Sequence, residues 1–251
     1  LENVDITTIY QTAKELDSLI DGKGLNMHFP SKMIILHTSI ENKLQTNSDG
    51  FSCRSKVPRL GLTCFVTGLS EGKTVQRIIE LGRCGGWESI KELGLYERLI
   101  EEREILARIV KESVETPKGT MDVVLGPEVA GIMAHESIGH PFEADRITGR
   151  ESAQAGESYL QPDCLGMKIG SPEANVSDNP TLPGSFGFYL YDDEGIRARK
   201  RQLLEKGNIK ELFHNRATAH EFNTLSNGSS RSVRYDREPI IRMSNTFIEP
   251  G

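Results

Sequence analysis

The run HESIGH, residues 135–140, contains the side chains best suited to chemistry. His135 and His140 offer two imidazoles, and Glu136 places a carboxylate beside the first of them. A catalytic zinc needs neutral nitrogen ligands, an open position for water and a nearby base that does not itself occupy the metal. These residue types predict a zinc site with His135 and His140 as ligands and Glu136 as the catalytic base.

The spacing HExxxH is one residue longer than the HExxH of many zinc enzymes. At about 100° per residue, histidines five apart on a regular α-helix differ by roughly 140° and cannot share a metal. We therefore expect the helix to widen by a π-type turn or to break near Gly139, since Pro141 disfavours helical geometry in the residue before it. The alternative is that two unrelated histidines stand at a helix end.

The elements that must position this motif follow from the surrounding pattern. Gly126-Pro127-Glu128 predicts a helix start, with proline at an early position and an acid in the first turn. The preceding MDVVL predicts a short buried strand. After Asp145 the chain is rich in Gly, Pro and Ser with short apolar runs (FGFYLY, PIIRMSNTFI), which predicts an irregular, mostly antiparallel β region.

The N-terminal half contains apolar residues at both helical and strand spacing. The patterns predict, in chain order, an amphipathic helix over 9–20, a strand at MIILHTSI, a turn at SDGF, a hairpin around SEGK and a long helix over 87–114. The polar link ETPKGT marks a domain boundary. The predicted fold class is α+β: an N-terminal mixed α/β domain, 1–118, followed by a β-rich C-terminal domain, 119–251, that carries the HExxxH helix. The chain starts without Met and stops in mid-pattern, so we expect the second domain to be incomplete at its C-terminus.

Composition limits the classes of partner. The 251 residues have a net charge of −6 and no basic stripe, which argues against direct binding of nucleic acid. The longest nearly apolar stretch, 60–69, is too short to cross a bilayer, so no membrane association is expected. Four scattered cysteines without a CxxC pair exclude a disulfide framework or a zinc ribbon made from this chain alone. The first residues lack the pattern of a signal peptide, and a cytoplasmic location is expected.

Other residues offer weaker candidates. Glu143 and Asp145 are predicted to lie at a helix C-terminus, where acids oppose the macrodipole, so either they contact a ligand histidine or they are simply exposed. GLSEGKT resembles a phosphate-binding loop that is one residue short, and a hairpin turn explains it better. For the remaining candidates an ordinary structural role, as surface, turn or buried residues, is favoured over a chemical one. They are His220-Glu221, Asp192-Asp193-Glu194, Cys164, and Arg231, Arg234 and Arg237.

HESIGHPFEAD, preceded by MDVVLGPEVAGIMA, resembles the TldD/PmbA family. YDDEG (191–195), LLEKGNIKELF (203–213) and PIIRMSNTFIEPG (239–251) follow in the order of that family. The resemblance covers residues 120–251 well and the N-terminal half only in general pattern. Because the HExxxH motif is kept, the chain resembles the TldD type, which is a zinc metallopeptidase, rather than the PmbA type, which lacks the motif.

The resemblance implies site, substrate and partner. His135 and His140 match the metal ligands, Glu136 matches the catalytic glutamate, and the third zinc ligand is a cysteine expected beyond Gly251. The implied substrates are unstructured peptides, reached in a cavity between two subunits of a homodimer or of a heterodimer with a PmbA-like subunit. RMSNTFIEPG is implied to lie beside the active site, where a peptide could add as a strand. The alternatives are a non-catalytic peptide- or protein-binding subunit and an NTPase that binds nucleotide at Lys73.

Overall fold

A computed structural model describes residues 4–21, 27–150 and 158–250 of the chain. The chain divides into two compact units, one formed by Leu1–Asn42 and Lys56–Met121 and the other by Lys43–Ser55 and Asp122–Gly251. Helices occur in both units beside sheets of hydrogen-bonded neighbouring strands, which confirms the α+β class.

The N-terminal half forms one sheet and its covering helices. Its elements are α1 (Ile6–Ile20), β1 (His28–Thr46), β2 (Ser52–Ser70), β3 (Lys73–Cys84), α2 (Ser89–Glu92) and α3 (Leu95–Glu112). The strand order is β1-β2-β3, and β2 pairs antiparallel with β3 up to Ser70↔Lys73, which confirms the hairpin around SEGK. Glu71 and Gly72 have φ of 49° and 77°, the backbone that two-residue hairpin turns favour.

The core of the first unit follows from strand and helix periodicity. Along β2 every second side chain is buried, at Leu60, Leu62, Cys64 and Val66. Helix α1 packs against α3, which in turn lies on β3. These contacts bury the apolar stripes of both helices, so the predicted helix over 9–20 is confirmed.

The single helix predicted over 87–114 is wrong in one respect. It is divided into α2 and α3 by Gly94, which has a φ of +58°. This left-handed backbone cannot continue an α-helix, and glycine adopts it without steric cost.

The C-terminal half is built from short antiparallel strands. Its elements are α4 (Pro127–Ala134), a π-helical turn (His135–Gly139), a 3₁₀ turn (His140–Phe142), α5 (Ala144–Ile147), β4 (Val176–Asp178), β5 (Arg201–Glu205), β6 (Asn208–Ile209), α6 (Arg216–Glu221), β7 (Ser230–Arg231), β8 (Ile240–Ile241) and β9 (Thr246–Ile248). The strand orders are β6-β5-β4-β9 and β7-β8, antiparallel throughout, as predicted. The core between them contains Phe142, Leu203, Phe213 and Ile241.

In this half the strand predicted at MDVVL is wrong, and one apolar run of the predicted β region, FGFYLY, forms no strand. MDVVL is neither a strand nor buried, and Val124 is 100% exposed. A strand needs a paired neighbour, and no described strand pairs with this segment. FGFYLY forms turns, and only Tyr191 makes a bridge, to Arg197, because the segment's carbonyls and amides bond within local turns and to Pro180 and Ala198.

The end of the β1–β2 hairpin belongs to the second unit. Lys43 Nζ lies 2.7 Å from Asp193 Oδ1, and Gln45 donates to the same oxygen at 2.8 Å. Phe51 stacks on Tyr191 with ring centroids 5.3 Å apart. The predicted turns at SDGF and at 192–195 are both confirmed, and they are packed against each other.

Helix α6 was not predicted, although a local signal exists. The side chain of Asn215 accepts from Thr218 N, and the Thr218 hydroxyl receives the Asn215 backbone N–H, which forms a capping box. Asn-x-x-Thr is a weaker form of the usual Ser/Thr-x-x-Glu signature.

His214, just before α6, is expected to make stability depend on pH. It is 5% exposed, and burial lowers its pKa from 6.5 to about 4. The unfolded chain therefore binds a proton between those pH values that the folded chain does not, so stability is lost as pH falls from 6.5 to 4. At 1.36 kcal/mol per pKa unit the loss is about 3 kcal/mol.

The measurement is urea unfolding of wild type and His214→Gln between pH 4 and 7. The stability advantage of wild type is expected to shrink as the pH falls. His220→Gln, an exposed histidine on α6, is the matched control. If the free energies of unfolding of wild type and His214→Gln differed by the same amount at every pH, the prediction would be contradicted.

Candidate metal centre

Helix α4 ends directly before the HESIGH motif and determines where His135 lies. Gly126 is the N-cap, Pro127 occupies the first helical position and Glu128 lies in the first turn, as predicted. Ala134, at the end of α4, is buried in the core, and α4 contacts β9. These contacts hold the helix at the point where His135 follows it.

The helix then widens as its spacing requires. His135–Gly139 is a π-helical turn, closed by the backbone N–H of His140 donating to His135 O. An i→i+5 turn brings residues five apart to the same side, where an α-helix would separate them. The predicted departure from α-helical geometry is confirmed, and the chain continues as a 3₁₀ turn through Pro141.

The two imidazoles face each other across this turn. Their Nε2 atoms are 3.1 Å apart, and the rings stand at 88° with centroids 4.6 Å apart. Two nitrogens about 2.0–2.1 Å from one tetrahedral zinc are roughly 3.3 Å apart. The donor pair therefore fits a zinc ion without rearrangement of the backbone.

Glu136 completes the cluster. A ligand atom from each of His135, Glu136 and His140 lies within 4.8 Å of the others, and both His135 and Glu136 are exposed. Desolvation of the His135 ring, and next the charge of His140, lowers the pKa of His135. A lower pKa favours the neutral imidazole that a metal requires.

Gly139 is required by a close approach from a distant segment. A Cβ there would stand 1.8 Å from Met243 Sδ, and Met243 is itself buried. The π turn also contacts β9. Met243 and β9, both within the RMSNTFIEPG segment, thus lie beside the histidines, as the resemblance implied for that segment.

Glu143 and Asp145 are buried, so the alternative of surface exposure is wrong. Glu143 Oε1 lies 3.3 Å from His140 Nδ1, so it contacts one of the two histidines predicted to bind the metal. Asp145 instead accepts the backbone N–H of Ile241 at 3.0 Å. The expected conflict with a helix C-terminus is also wrong, because Glu143 is the N-cap of α5 and Asp145 lies in its first turn.

The remaining candidates lie apart from this cluster or are structural. Cys164 is wholly buried in the core, and burial raises the pKa of its thiol. Lys73 begins β3, so no helix follows the GLSEGKT segment as a phosphate-binding loop requires, and the NTPase hypothesis is wrong in geometry. His220 and Glu221 are exposed. Of the arginines, Arg231 lies over Tyr189 and Arg234 and Arg237 are exposed.

Sequence reasoning missed the residues that brace the turn. Tyr159 donates to Ser137 O at 2.9 Å, and Ser158 donates to Pro141 O at 2.7 Å. Because these hydrogen bonds join residues 22 and 17 positions apart, no short sequence pattern could have predicted them. Arg146, which pairs with Glu143, was missed although i,i+3 spacing could have indicated it.

Fold and site together define the class: an α+β protein with a cluster of two histidines and one carboxylate on a π turn. The PmbA/TldA metallopeptidase C-terminal domain matches residues 118–251. The chain therefore belongs to the TldD/PmbA family of metallopeptidases.

Individual relatives agree with this assignment. A metalloprotease of Archaeoglobus fulgidus is 34% identical over 204 residues, which cover 81% of this chain and 44% of the relative. A zinc metalloprotease TldD homolog of Saccharolobus solfataricus is 33% identical over 168 residues, which cover 64% of this chain and 36% of the relative. TldE from Thermococcus kodakarensis has the same fold, with a TM-score of 0.68, 18% identity and coverage of 97% of this chain and 52% of that one. The matches cover between 27% and 52% of the length of the curated relatives.

No described helix combines the length and the apolar character needed to cross a bilayer.

Proposed function

We propose that this chain forms the zinc-binding part of a TldD-type metallopeptidase that hydrolyses unstructured peptides. The 3.1 Å approach of the His135 and His140 Nε2 atoms is the observation that carries the proposal. The zinc metalloprotease name of one relative supports the choice of metal. His135 and His140 would hold the ion, and by family resemblance a cysteine from beyond Gly251 would be the third ligand.

The residues of the site have distinct tasks. When bound, zinc would acidify a water molecule and polarise the substrate carbonyl. Glu136, exposed beside the histidines, would accept the proton of the attacking water and pass it to the leaving amine. His135 and His140 would hold the ion through the two Nε2 atoms that face each other.

An extended peptide has a place to bind beside the histidines. β9 is at the edge of its described sheet and contacts both α4 and the π turn. A substrate strand could therefore add to β9 by backbone hydrogen bonds, which suits peptides without fixed structure. The likeness to TldE supports assembly with a TldE-like (PmbA-type) subunit, with a homodimer as the other arrangement.

Zinc content tests the metal site. We expect about one zinc per chain after dialysis of the complete protein, loss of that zinc in His140→Ala, and retention in the control His220→Ala. Residues 1–251 alone should bind zinc orders of magnitude more weakly, because an anionic ligand is missing. Zinc retained by His140→Ala would contradict the ligand assignment.

Cys164→Ser decides between the two candidate cysteines. Because Cys164 is buried in the core, this variant of the complete protein should keep its zinc. Zinc lost on this substitution would place the third ligand inside residues 1–251. Zinc bound without cleavage of any unstructured peptide would favour the non-catalytic binding subunit.

A further inference from the structure

Glu143 sits at the far side of His140 from the metal centre. Its side chain is 0% exposed, and its Oε1 is 3.3 Å from His140 Nδ1. The backbone around it is fixed, since Ala144 N donates to Phe213 O at 3.1 Å and Phe213 N donates to Phe142 O at 2.9 Å. These two hydrogen bonds attach the backbone on both sides of Glu143 to Phe213.

Two groups of opposite character face the same ring nitrogen. Arg146 donates through Nε to Glu143 Oε2, and its NH2 atom lies 3.2 Å from His140 Nδ1. A carboxylate can only accept, so it stabilises the tautomer that carries the proton on Nδ1. A guanidinium can only donate, so it stabilises the tautomer with a lone pair on Nδ1 and the proton on Nε2.

The choice of tautomer decides whether His140 can bind a metal toward His135. Only the Nδ1–H tautomer leaves a lone pair on Nε2, the atom that faces His135. Without metal, this tautomer is also compatible with His135, whose Nε2–H can donate across the 3.1 Å gap. Carboxylates that orient ligand histidines in this way typically contribute 10–100-fold to metal affinity.

We propose that Glu143 is a positioning residue that keeps the His140 proton on Nδ1, and that Arg146 fastens the carboxylate in the required place. This inference rests on the proposed zinc site. Arg242, with NH1 3.6 Å from Glu143 Oε2, places a second positive charge beside the buried carboxylate.

The two partners should respond differently to substitution. In Glu143→Gln the anionic acceptor is lost and Arg146 is free to donate to Nδ1, so His140 should change to the Nε2–H tautomer and zinc affinity should fall by about 10–100-fold. In Arg146→Met the competing donor is lost while the carboxylate remains, so the Nδ1–H tautomer should persist with a smaller loss of affinity. Glu238→Gln, in the exposed ion pair with Arg150, is the matched control.

The experiment reads the tautomer and the affinity separately. Long-range ¹H–¹⁵N correlation of histidine-labelled, zinc-free complete protein at high pH identifies the protonated nitrogen of His140. Competition with a chelator gives the zinc affinity of each variant. If Glu143→Gln does not fold, Glu143→Gln/Arg146→Met removes the buried pair together, and its zinc affinity should be lower than those of wild type and of Arg146→Met, which both keep the carboxylate.

An Nε2–H tautomer in wild type, or an Nδ1–H tautomer with unchanged zinc affinity in Glu143→Gln, would overturn the inference. If wild type binds no zinc, the proposed function fails. The tautomer of zinc-free wild type and Glu143→Gln still decides the role of Glu143 in that case.

Discussion

Replacing Glu136 by glutamine is expected to lower kcat for peptide cleavage by about 10²- to 10⁴-fold, the usual contribution of a positioned general base. The amide has nearly the size of the carboxylate but no basicity at neutral pH. Because Glu136 is exposed and is not one of the two proposed nitrogen ligands, fold and zinc content should be unchanged. The measurement is kcat and KM on an unstructured peptide, with zinc content determined on the same preparation.

Glu221→Gln is the matched control for this experiment. Glu221 also follows a histidine, is also exposed, and lies at the end of α6 without a second histidine at the required spacing. It should retain full activity. Turnover by Glu136→Gln at the rate of Glu221→Gln would remove Glu136 from the mechanism, whereas loss of zinc in Glu136→Gln would show that the carboxylate helps to hold the ion.

Replacing Arg201 by methionine is expected to lower the free energy of unfolding by about 3–5 kcal/mol, the cost of leaving one member of a buried ion pair alone. Arg201 and Asp178 are both 0% exposed, with NH2 and Oδ2 2.5 Å apart. Arg201 also donates to the carbonyl groups of Asn227 and Gly228 at 3.1 and 2.9 Å. These acceptors would lose their donor at the same time.

The same pair connects two strands of the sheet whose edge strand, β9, contacts α4. Asp178, on β4, also accepts from Ser244 N at 2.8 Å and from the Thr246 hydroxyl at 2.9 Å. Thr246 begins β9, which packs against α4. We therefore expect Arg201→Met to disturb the proposed zinc site as well as the sheet.

Urea unfolding of wild type, Arg201→Met and Arg199→Met measures this effect. Arg199 is half-exposed and pairs with Glu211 at the surface, so its loss should cost at most about 1 kcal/mol. Arg201→Met/Asp178→Asn should cost less than the sum of the single changes, because the second change removes the unpaired charge. Equal stability of Arg201→Met and Arg199→Met would show that the buried pair contributes no more than a surface pair.

Local patterns were sufficient for several elements. The hairpin of β2 and β3, helix α1 and the start of α4 depend on turn residues, periodicity and a proline within one or two turns of chain. The most informative of these patterns was the spacing of His135 and His140. The side chains of two histidines five positions apart cannot point to the same side of an α-helix. The need for an irregular turn was therefore a geometric consequence of the spacing alone.

Local patterns failed where the deciding partner is distant or lacking among the described residues. MDVVL has the composition of a buried strand, but burial requires a neighbouring strand, and none of the described strands supplies one. The split of the helix over 87–114 depended on the backbone of one glycine, whose left-handed conformation is permitted but not required by its sequence context.

The sequence by itself determined which residue types could bind a metal and that their helix must depart from α geometry. Only the tertiary structure decided which imidazole nitrogens face each other, why residue 139 must be glycine, and what lies behind His140. Gly139 meets Met243, and the neighbours of Glu143 meet Phe213, across separations far longer than a helical turn. Side-chain orientation is set by packing against such partners, and packing in a close-filled core cannot be inferred from neighbours along the chain.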